Sequence, residues 1–340
     1  MPIHRVGIVG TGGIAHSHLQ GYRGIAGNLC EVVAACDPKA DVLDAFCERH
    51  SIPSRFADAS DMIASGEVDV IALLTPPSVR ADVIFPAAEA GIHMLVEKPF
   101  GERYADAKSY AAAAESAGVK MAVNHELRFT PDVLAIRQAI LGGSLGELLS
   151  IVHDHYYDRR NTRGWRAGEE RLEMAIFSIH LIDRVQWLAG VAPVAVTALT
   201  RQWMPTVRGE TFTALTIEFA EGIVGSMVSS WNAPGLPECR LRIDGTGGSA
   251  LSLKEQVTGN RCELTIQVDG DRPETMDMSR DGLFVSAMGE SMRRLLEAIE
   301  EGTEPAHGAR DNLKTMAIMD AAYVSAARGG KRVEVAEVTG

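Results

Sequence analysis

The sequence predicts an α/β chain in two units, with residues 1–126 forming a doubly wound parallel sheet and residues 127–340 an α+β unit with an open, mostly antiparallel sheet. Three observations carry that reading. Short apolar runs alternate with stretches of helical spacing as far as about residue 126, the pattern of strand and crossover helix. From Val194 to Met278 the runs are separated instead by turn residues, as in sheets built from hairpins. With 340 residues, 46% of them hydrophobic, the chain can bury about two cores.

Composition narrows the function classes. Acidic residues outnumber basic ones 45 to 33, a formal charge of −12, and no Lys/Arg tract interrupts that balance. A nucleic-acid partner is therefore not expected, because phosphate recognition relies on a basic surface. No apolar run is long enough to span a bilayer. The N-terminus enters a strand pattern at once (Val6, Ile8, Val9), which leaves no room for a basic and apolar leader and favours a cytoplasmic protein. Cys30, Cys36, Cys47, Cys239 and Cys262 show no C-x-x-C spacing and lie mainly within apolar runs, as buried free thiols do.

Arg5–Val9 reads as the first strand. It runs into Gly10-Thr11-Gly12-Gly13-Ile14-Ala15, a G-x-G-x-x-A turn, and helical spacing continues through His18, Leu19 and Tyr22. Gly10 permits the tight turn, Gly12 lets the backbone approach a pyrophosphate, and the small Ala15 lets the helix pack on the sheet, while the helix N-terminus stabilises the anion. A second apolar run, Val32–Cys36, ends at Asp37, whose carboxylate can accept hydrogen bonds from adenosine ribose hydroxyls. Strand, glycine turn, helix, strand and acid together predict a dinucleotide-binding Rossmann unit, with Gly10, Thr11, Gly12, Gly13, Ile14 and Asp37 at the cofactor. Asp37 would repel a 2′-phosphate and no arginine stands beside it, so NAD is favoured over NADP; Lys39 moderates the preference.

A helical stretch, Ala40–Arg49, and a polar segment around Asp58–Ser65 come next. The strongly apolar Val68–Leu74 closes with Thr75-Pro76-Pro77, where the prolines end the strand and shape a loop at its carboxyl edge. Thr75 and Pro76 are therefore placed near the nicotinamide half of the cofactor. Arg80–Ala90 reads as a helix stopped by Gly91, and His93–Val96 leads to Glu97-Lys98-Pro99. A buried strand thus delivers Lys98 at its carboxyl end, where ligands of open α/β sheets sit. Helix Tyr104–Ala117 and strand Lys120–Val123 complete the alternation.

Gly10-x-Gly12-x-x-Ala15, Asp37, Thr75-Pro76-Pro77, Ala90-Gly91-x-His93, Glu97-Lys98-Pro99 and Asn124 through Arg128-Phe129-x-Pro131 stand in an order that resembles the glucose-fructose oxidoreductase, inositol dehydrogenase and MocA (Gfo/Idh/MocA) family. The likeness extends over nearly the whole chain, and Glu-Lys-Pro is its most specific part. The resemblance implies that Lys98 sits beside the nicotinamide and the substrate hydroxyl, that Glu97 lies close to the cofactor, and that the Lys98–Pro99 bond is cis.

In the second unit Asp132–Leu141 reads as an amphipathic helix stopped by Gly142-Gly143, and Leu148–Tyr157 is rich in strand formers. His153 and His155 share one strand face. No third ligand stands at a recognisable spacing, so a polar or substrate-facing surface is expected there and no metal site. Met174, Phe177, Leu181, Val185 and Leu188 mark a buried helix face, while Glu173, Ile176 and His180 fall at helical spacing on another. A histidine on a packed helix is usually structural. The resemblance instead implies that His180 is a general acid/base beside Lys98. It also extends to Trp165-Arg166, an aromatic and a guanidinium suited to a polyhydroxylated ligand, and Asn124 and Tyr156 complete the candidate substrate-binding set.

The chain departs from the family pattern ahead of His180. Ile176 occupies the place of an aspartate and Glu170-Arg171-Leu172-Glu173 replaces a glycine run, which makes Glu173 the candidate for the missing carboxylate. The expected activity is NAD(P)-dependent hydride transfer involving a secondary hydroxyl of a sugar or polyol. The altered helix leaves room for a cofactor-binding regulator or sensor without turnover, and for retained NAD serving epimerisation, elimination or glycosidic cleavage.

Strands are expected at Val194–Thr200, Thr211–Phe219, Ile223–Trp231, Leu241–Asp244 and Glu263–Val268. One face of their sheet should pack on helices and the other on a neighbouring subunit, in a homodimer or homotetramer, since a bare sheet would expose too much apolar area. Met288–Glu300 and Asp311–Ala327 read as closing helices that return to brace the first unit.

Overall fold

The computed structural model describes residues 3–340. They divide into two compact units: residues up to Glu126 together with Val285–Leu313, and Leu127–Phe284 together with Lys314–Gly340.

In the first unit, β1 (His4–Val9), β2 (Cys30–Cys36), β3 (Ser54–Phe56), β4 (Val70–Leu73), β5 (His93–Glu97) and β6 (Met121–Asn124) form one six-stranded sheet in the order β3-β2-β1-β4-β5-β6. Every neighbouring pair is parallel. The strand order reverses between β1 and β4, and the crevice at the carboxyl ends of such a switch is where open α/β sheets bind ligands. All of β4 and nearly all of β5 are buried, as the unbroken apolar runs require of strands covered on both faces. Helices α1 (Gly13–Gly21), α2 (Ala40–His50), α3 (Ala59–Ala64), α4 (Ala81–Glu89) and α5 (Tyr104–Ala117) alternate with them. The patterning does not reveal β3, only three residues long, or α3, which lies in the segment read as merely polar. Asp58 starts α3 by accepting the Ser60 amide at 2.7 Å.

The second unit contains α6 (Pro131–Leu141), α7 (Ile179–Ala189) and a nine-stranded sheet. Its strands are β7 (Leu148–Tyr156), β8 (Pro193–Arg201), β9 (Phe212–Phe219), β10 (Val224–Ser230), β11 (Glu238–Gly245), β12 (Gly248–Lys254), β13 (Glu263–Val268), β14 (Glu274–Asp277) and β15 (Val333–Glu334), ordered β14-β13-β12-β11-β7-β10-β9-β8-β15. Only β7 and β10 run parallel. The expected Leu241–Asp244 is the middle of a longer strand, and β12, β14 and β15 are additions to the sequence reading.

One sheet face carries α7, where Arg184 lies 3.3 Å from His153. The opposite face presents Val152, Val228 and Leu251 half-buried and Leu199, Val224 and Leu253 exposed, around an Arg240–Asp154 ion pair of 2.5 Å.

The chain then returns. α8 (Leu283–Glu301) supplies Met292, Leu295 and Leu296 to the cluster of Val6, Ile8, Ala35 and Leu95. From Val285 onward it belongs to the first unit, and the second division falls inside α9 (Ala309–Ala327), at Leu313. The domain limits expected from sequence thus differ from the structure over Val285–Leu313. α8 crosses α1 where Gly21 meets Gly289: a Cβ on Gly21 would lie 2.7 Å from the Gly289 nitrogen, and one on Gly289 would overlap the Gly21 carbonyl. Only glycine permits backbones this close.

All five cysteines are buried free thiols, and burial pushes those of Cys30 and Cys36 up to about 12. Among the described residues no helix is long and apolar enough to cross a membrane.

Candidate functional site

At the end of β1 the chain turns at Gly10, whose φ of +96° disfavours any side chain. The Thr11 amide and hydroxyl donate to Asp37 Oδ2 at 2.9 and 3.1 Å, and the Lys39 amide donates to Oδ1 at 3.0 Å, so Asp37 is held by the glycine turn itself. α1 starts at Gly13 with no side-chain cap, and Ala15 is fully buried beneath it. A Cβ on Gly12 or Gly13 would meet nothing within 4 Å. An open backbone cradle, a helix N-terminus and a fixed carboxylate beyond it fit a dinucleotide, with Gly10 to Ile14 for the pyrophosphate and Asp37 for the ribose.

Thr75 follows β4, and its hydroxyl oxygen is buried without a hydrogen-bond partner. Its carbonyl accepts Arg80 Nε and Nη2 at 3.2 and 2.8 Å, while Arg80 Nη1 donates to the Pro99 carbonyl. Burial lowers the Arg80 guanidinium to about 10, which leaves it charged at neutral pH. This arginine, which sequence reasoning missed, ties the Thr75-Pro76-Pro77 loop to Glu97-Lys98-Pro99. The Lys98–Pro99 bond is cis.

Glu97 closes β5 directly opposite Asn124 at the end of β6. Its Oε1 accepts Asn124 Nδ2 at 2.6 Å and lies 2.9 Å from His18 Nε2, while His18 Nδ1 lies 2.8 Å from the Tyr22 hydroxyl. Burial alone would raise the Glu97 carboxyl. The hydrogen bond and charge of His18, followed by the charge of Lys98, outweigh it and hold Glu97 well below the usual carboxylate range. Half-buried Lys98 therefore leaves the sheet next to a fixed negative charge. His18 is a second missed residue; its only sequence signal is a histidine on the first helix beside Leu19 and Tyr22.

In the second unit a π-turn, Met174–Ser178, leads into α7, and every residue from Met174 to Gln186 is buried, His180 among them. Glu173 is fully buried as well. Its carboxylate accepts the hydroxyls of Ser178, Thr213 (2.6 Å) and Ser229 (2.6 Å), so it is directed onto β9 and β10. Burial raises this carboxyl to about 7, with the three hydroxyls opposing the rise only in part. One expectation is thereby corrected: the Glu173 carboxylate is engaged by Ser178, Thr213 and Ser229, and the π-turn interrupts the 3.6-residue period by which Glu173, Ile176 and His180 were placed on one face.

Glu210, unnoticed in the sequence, fixes the start of this segment by accepting the Met174 amide at 2.9 Å and the Tyr323 hydroxyl at 2.6 Å. Asp183 is gripped by Arg128 Nε and Nη2 at 2.5 and 2.6 Å and by the Thr315 hydroxyl at 3.0 Å, which anchors α7.

Tyr156 is not brought to this side of the sheet. It alternates with His155 along β7 and lies with Asp154, Arg240 and Glu238, whereas the His155 ring stacks 4.7 Å from Phe177 on the side of α7. Burial pushes His155 down to about 3, so it is neutral at physiological pH. Trp165 and Arg166 occupy an exposed 3₁₀ turn, Gly164–Gly168, with the guanidinium 5.2 Å from the indole. Among the described residues no group of His, Cys, Asp and Glu has the geometry to hold a metal ion.

Two family descriptions match the chain: "Oxidoreductase family, NAD-binding Rossmann fold" over residues 4–125 and "GFO/IDH/MocA C-terminal domain" over residues 133–251. D-apiose dehydrogenase of Paraburkholderia graminis is 26% identical over 336 residues, covering 96% of this chain and 88% of that one. Inositol 2-dehydrogenase of Rhizobium meliloti is 25% identical over 333 residues, covering 95% and 97%. The fold is shared with a levoglucosan dehydrogenase solved with NADH and levoglucosan, at a TM-score of 0.89 and 22% identity over 98% of this chain and all of that one. The chain belongs to the Gfo/Idh/MocA family of NAD(P)-dependent oxidoreductases.

Proposed function

We propose that the protein transfers a hydride between a secondary hydroxyl of a sugar or polyol and NAD. The observation that carries this reading is Lys98, delivered at the end of β5 beside a carboxylate held anionic by His18 and Asn124, in the unit that also bears the open Gly10–Ile14 cradle. The names of the relatives, which act on apiose, inositol and levoglucosan, support the substrate class. Nicotinamide, when bound, supplies the redox step. The chain's own residues supply orientation and proton transfer: Lys98 orients and polarises the hydroxyl, His180 takes its proton, and Trp165 and Arg166 engage further hydroxyls. Incubation with NAD and a panel of polyols should produce absorbance at the reduced-cofactor band. No turnover on any of them would defeat the proposal.

Ile176 favours a second reading, a cofactor-binding sensor, because an isoleucine can neither accept a proton nor bind a hydroxyl. In that case NAD would bind with sugar-dependent affinity while no reduced cofactor formed. Product appearing without net cofactor reduction would point to retained NAD instead.

Asp37 is assigned the preference for NAD over NADP. Asp37→Ser should raise the NADP:NAD ratio of kcat/KM on the order of tenfold, by removing a carboxylate that opposes the 2′-phosphate. A ratio unchanged from wild type would place cofactor selection elsewhere.

We further propose that the face of the nine-stranded sheet bearing Val228 and Leu253 packs on a second copy of the chain, as a homodimer or within a homotetramer. Val228→Arg should lower the mass measured by sedimentation velocity, and an unaltered mass would rule that face out.

A further inference from the structure

We infer that the second unit binds an anionic group, a carboxylate or phosphate ester on a hydroxylated carbon frame, through Arg159, Arg163 and Arg166. The inference rests on the dehydrogenase reading only for the hydroxyls of that ligand. After β7 the chain lines a cavity of about 300 Å³ with Tyr157, Arg159, Asn161, Arg163 and Arg166. The one carboxylate in its wall, Asp158, is already engaged by Arg160 through bonds of 2.8 and 2.9 Å. Arg159, Arg163 and Arg166 make no ion pair among the described residues. Three guanidiniums thus line one cavity in a chain whose formal charge is −12.

Arg159 is built into this place. Its guanidinium lies 4.8 Å from the Phe177 ring, 5.3 Å from Trp231 and 5.4 Å from Tyr157, and its amide donates to the Trp231 carbonyl at 2.9 Å. Its Nε is buried with no hydrogen-bond partner, and so is the Trp231 indole nitrogen. Burial first, and the charge of Arg166 second, disfavour its protonated form. An anion in the cavity would offset both penalties at once, whereas a neutral sugar would leave the repulsion between Arg159 and Arg166 uncompensated. Planar guanidinium forks match carboxylate and phosphate oxygens. Phe177 belongs to the π-turn that leads into α7, so the anion would dock against the segment that carries His180.

Calorimetry on the full-length protein tests this with D-glucose, D-glucuronate and D-glucose 6-phosphate, which share one frame and differ at one carbon. At least one of the two anions should bind about tenfold or more tightly than D-glucose at low salt, and the tighter of them identifies the acid. That advantage should vanish in the double variant Arg163→Ala/Arg166→Ala, whose lost side chains are exposed and whose fold circular dichroism can verify. Anions that bind no better than glucose, or do not bind, overturn the inference, as does an advantage that survives in the double variant. Binding is read without turnover. An anion preference without reduced cofactor would therefore keep the pocket and defeat the dehydrogenase reading, and oxidation of neutral polyols without an anion preference would do the reverse.

Discussion

Replacing Lys98 with alanine should lower kcat by about 10²- to 10⁴-fold while changing the dissociation constant of NAD by no more than about twofold. The split follows from where the anchors lie. Glu97 is held by His18 and Asn124, and the loop around Pro99 by Arg80, anchors that remain when the lysine is replaced. The cradle at Gly10–Ile14 and the Asp37 carboxylate, proposed to bind the ribose, are fixed to each other through Thr11. What disappears is the ammonium proposed to polarise the substrate hydroxyl, an interaction that would strengthen as charge develops on the oxygen. Fluorescence titration with NADH and steady-state kinetics measure the two constants separately. An unchanged kcat would remove Lys98 from the chemistry, and a large loss of cofactor affinity would make it a binding residue instead.

Glu173→Gln should alter how stability varies with pH. The Glu173 carboxyl titrates near 7 in the folded protein against an ordinary value of 4.5, so at low pH both states are protonated and the group has no effect. As pH rises from about 4.5 to about 7 the unfolded chain releases this proton and the folded chain does not, which removes about 3 kcal/mol of stability. Above that range both states are ionised and the loss is constant. The glutamine variant lacks this fall and should gain about 3 kcal/mol relative to wild type between those limits in urea unfolding. His155, pushed down to about 3, contributes the opposite slope over part of the interval, so the difference between the two proteins carries the test. Parallel curves would mean that Glu173 stays ionised on its three hydroxyls throughout.

The parts of the fold that are legible in the sequence are those set by local pattern. Unbroken apolar runs mark β4 and β5 as strands covered on both faces, and the glycine turn after β1 and Glu97-Lys98-Pro99 at the end of β5 stand out by residue type alone. The residues that pattern does not reveal act at long range. His18 and Glu97 are 79 positions apart, and nothing near either one advertises the other. Arg80 reads as a helix-start arginine until the Pro99 carbonyl is placed beside it. Glu173 is misplaced for a different reason: a 3.6-residue period does not extend through a segment that folds as a π-turn. The side on which Tyr156 lies follows from alternation alone, since His155 and Tyr156 cannot share a strand face.

The Gly21–Gly289 crossing has a consequence for how the chain is made. Synthesis runs from the N-terminus, and the cofactor unit lacks Met292, Leu295 and Leu296 until all of Leu127–Phe284 has been translated. Val6, Ile8 and Leu95 must wait with incomplete cover, a vectorial delay during which they offer apolar surface to chaperones or to other nascent chains. A fragment ending at Glu126 would hold the whole nucleotide fingerprint and still be an unfinished protein.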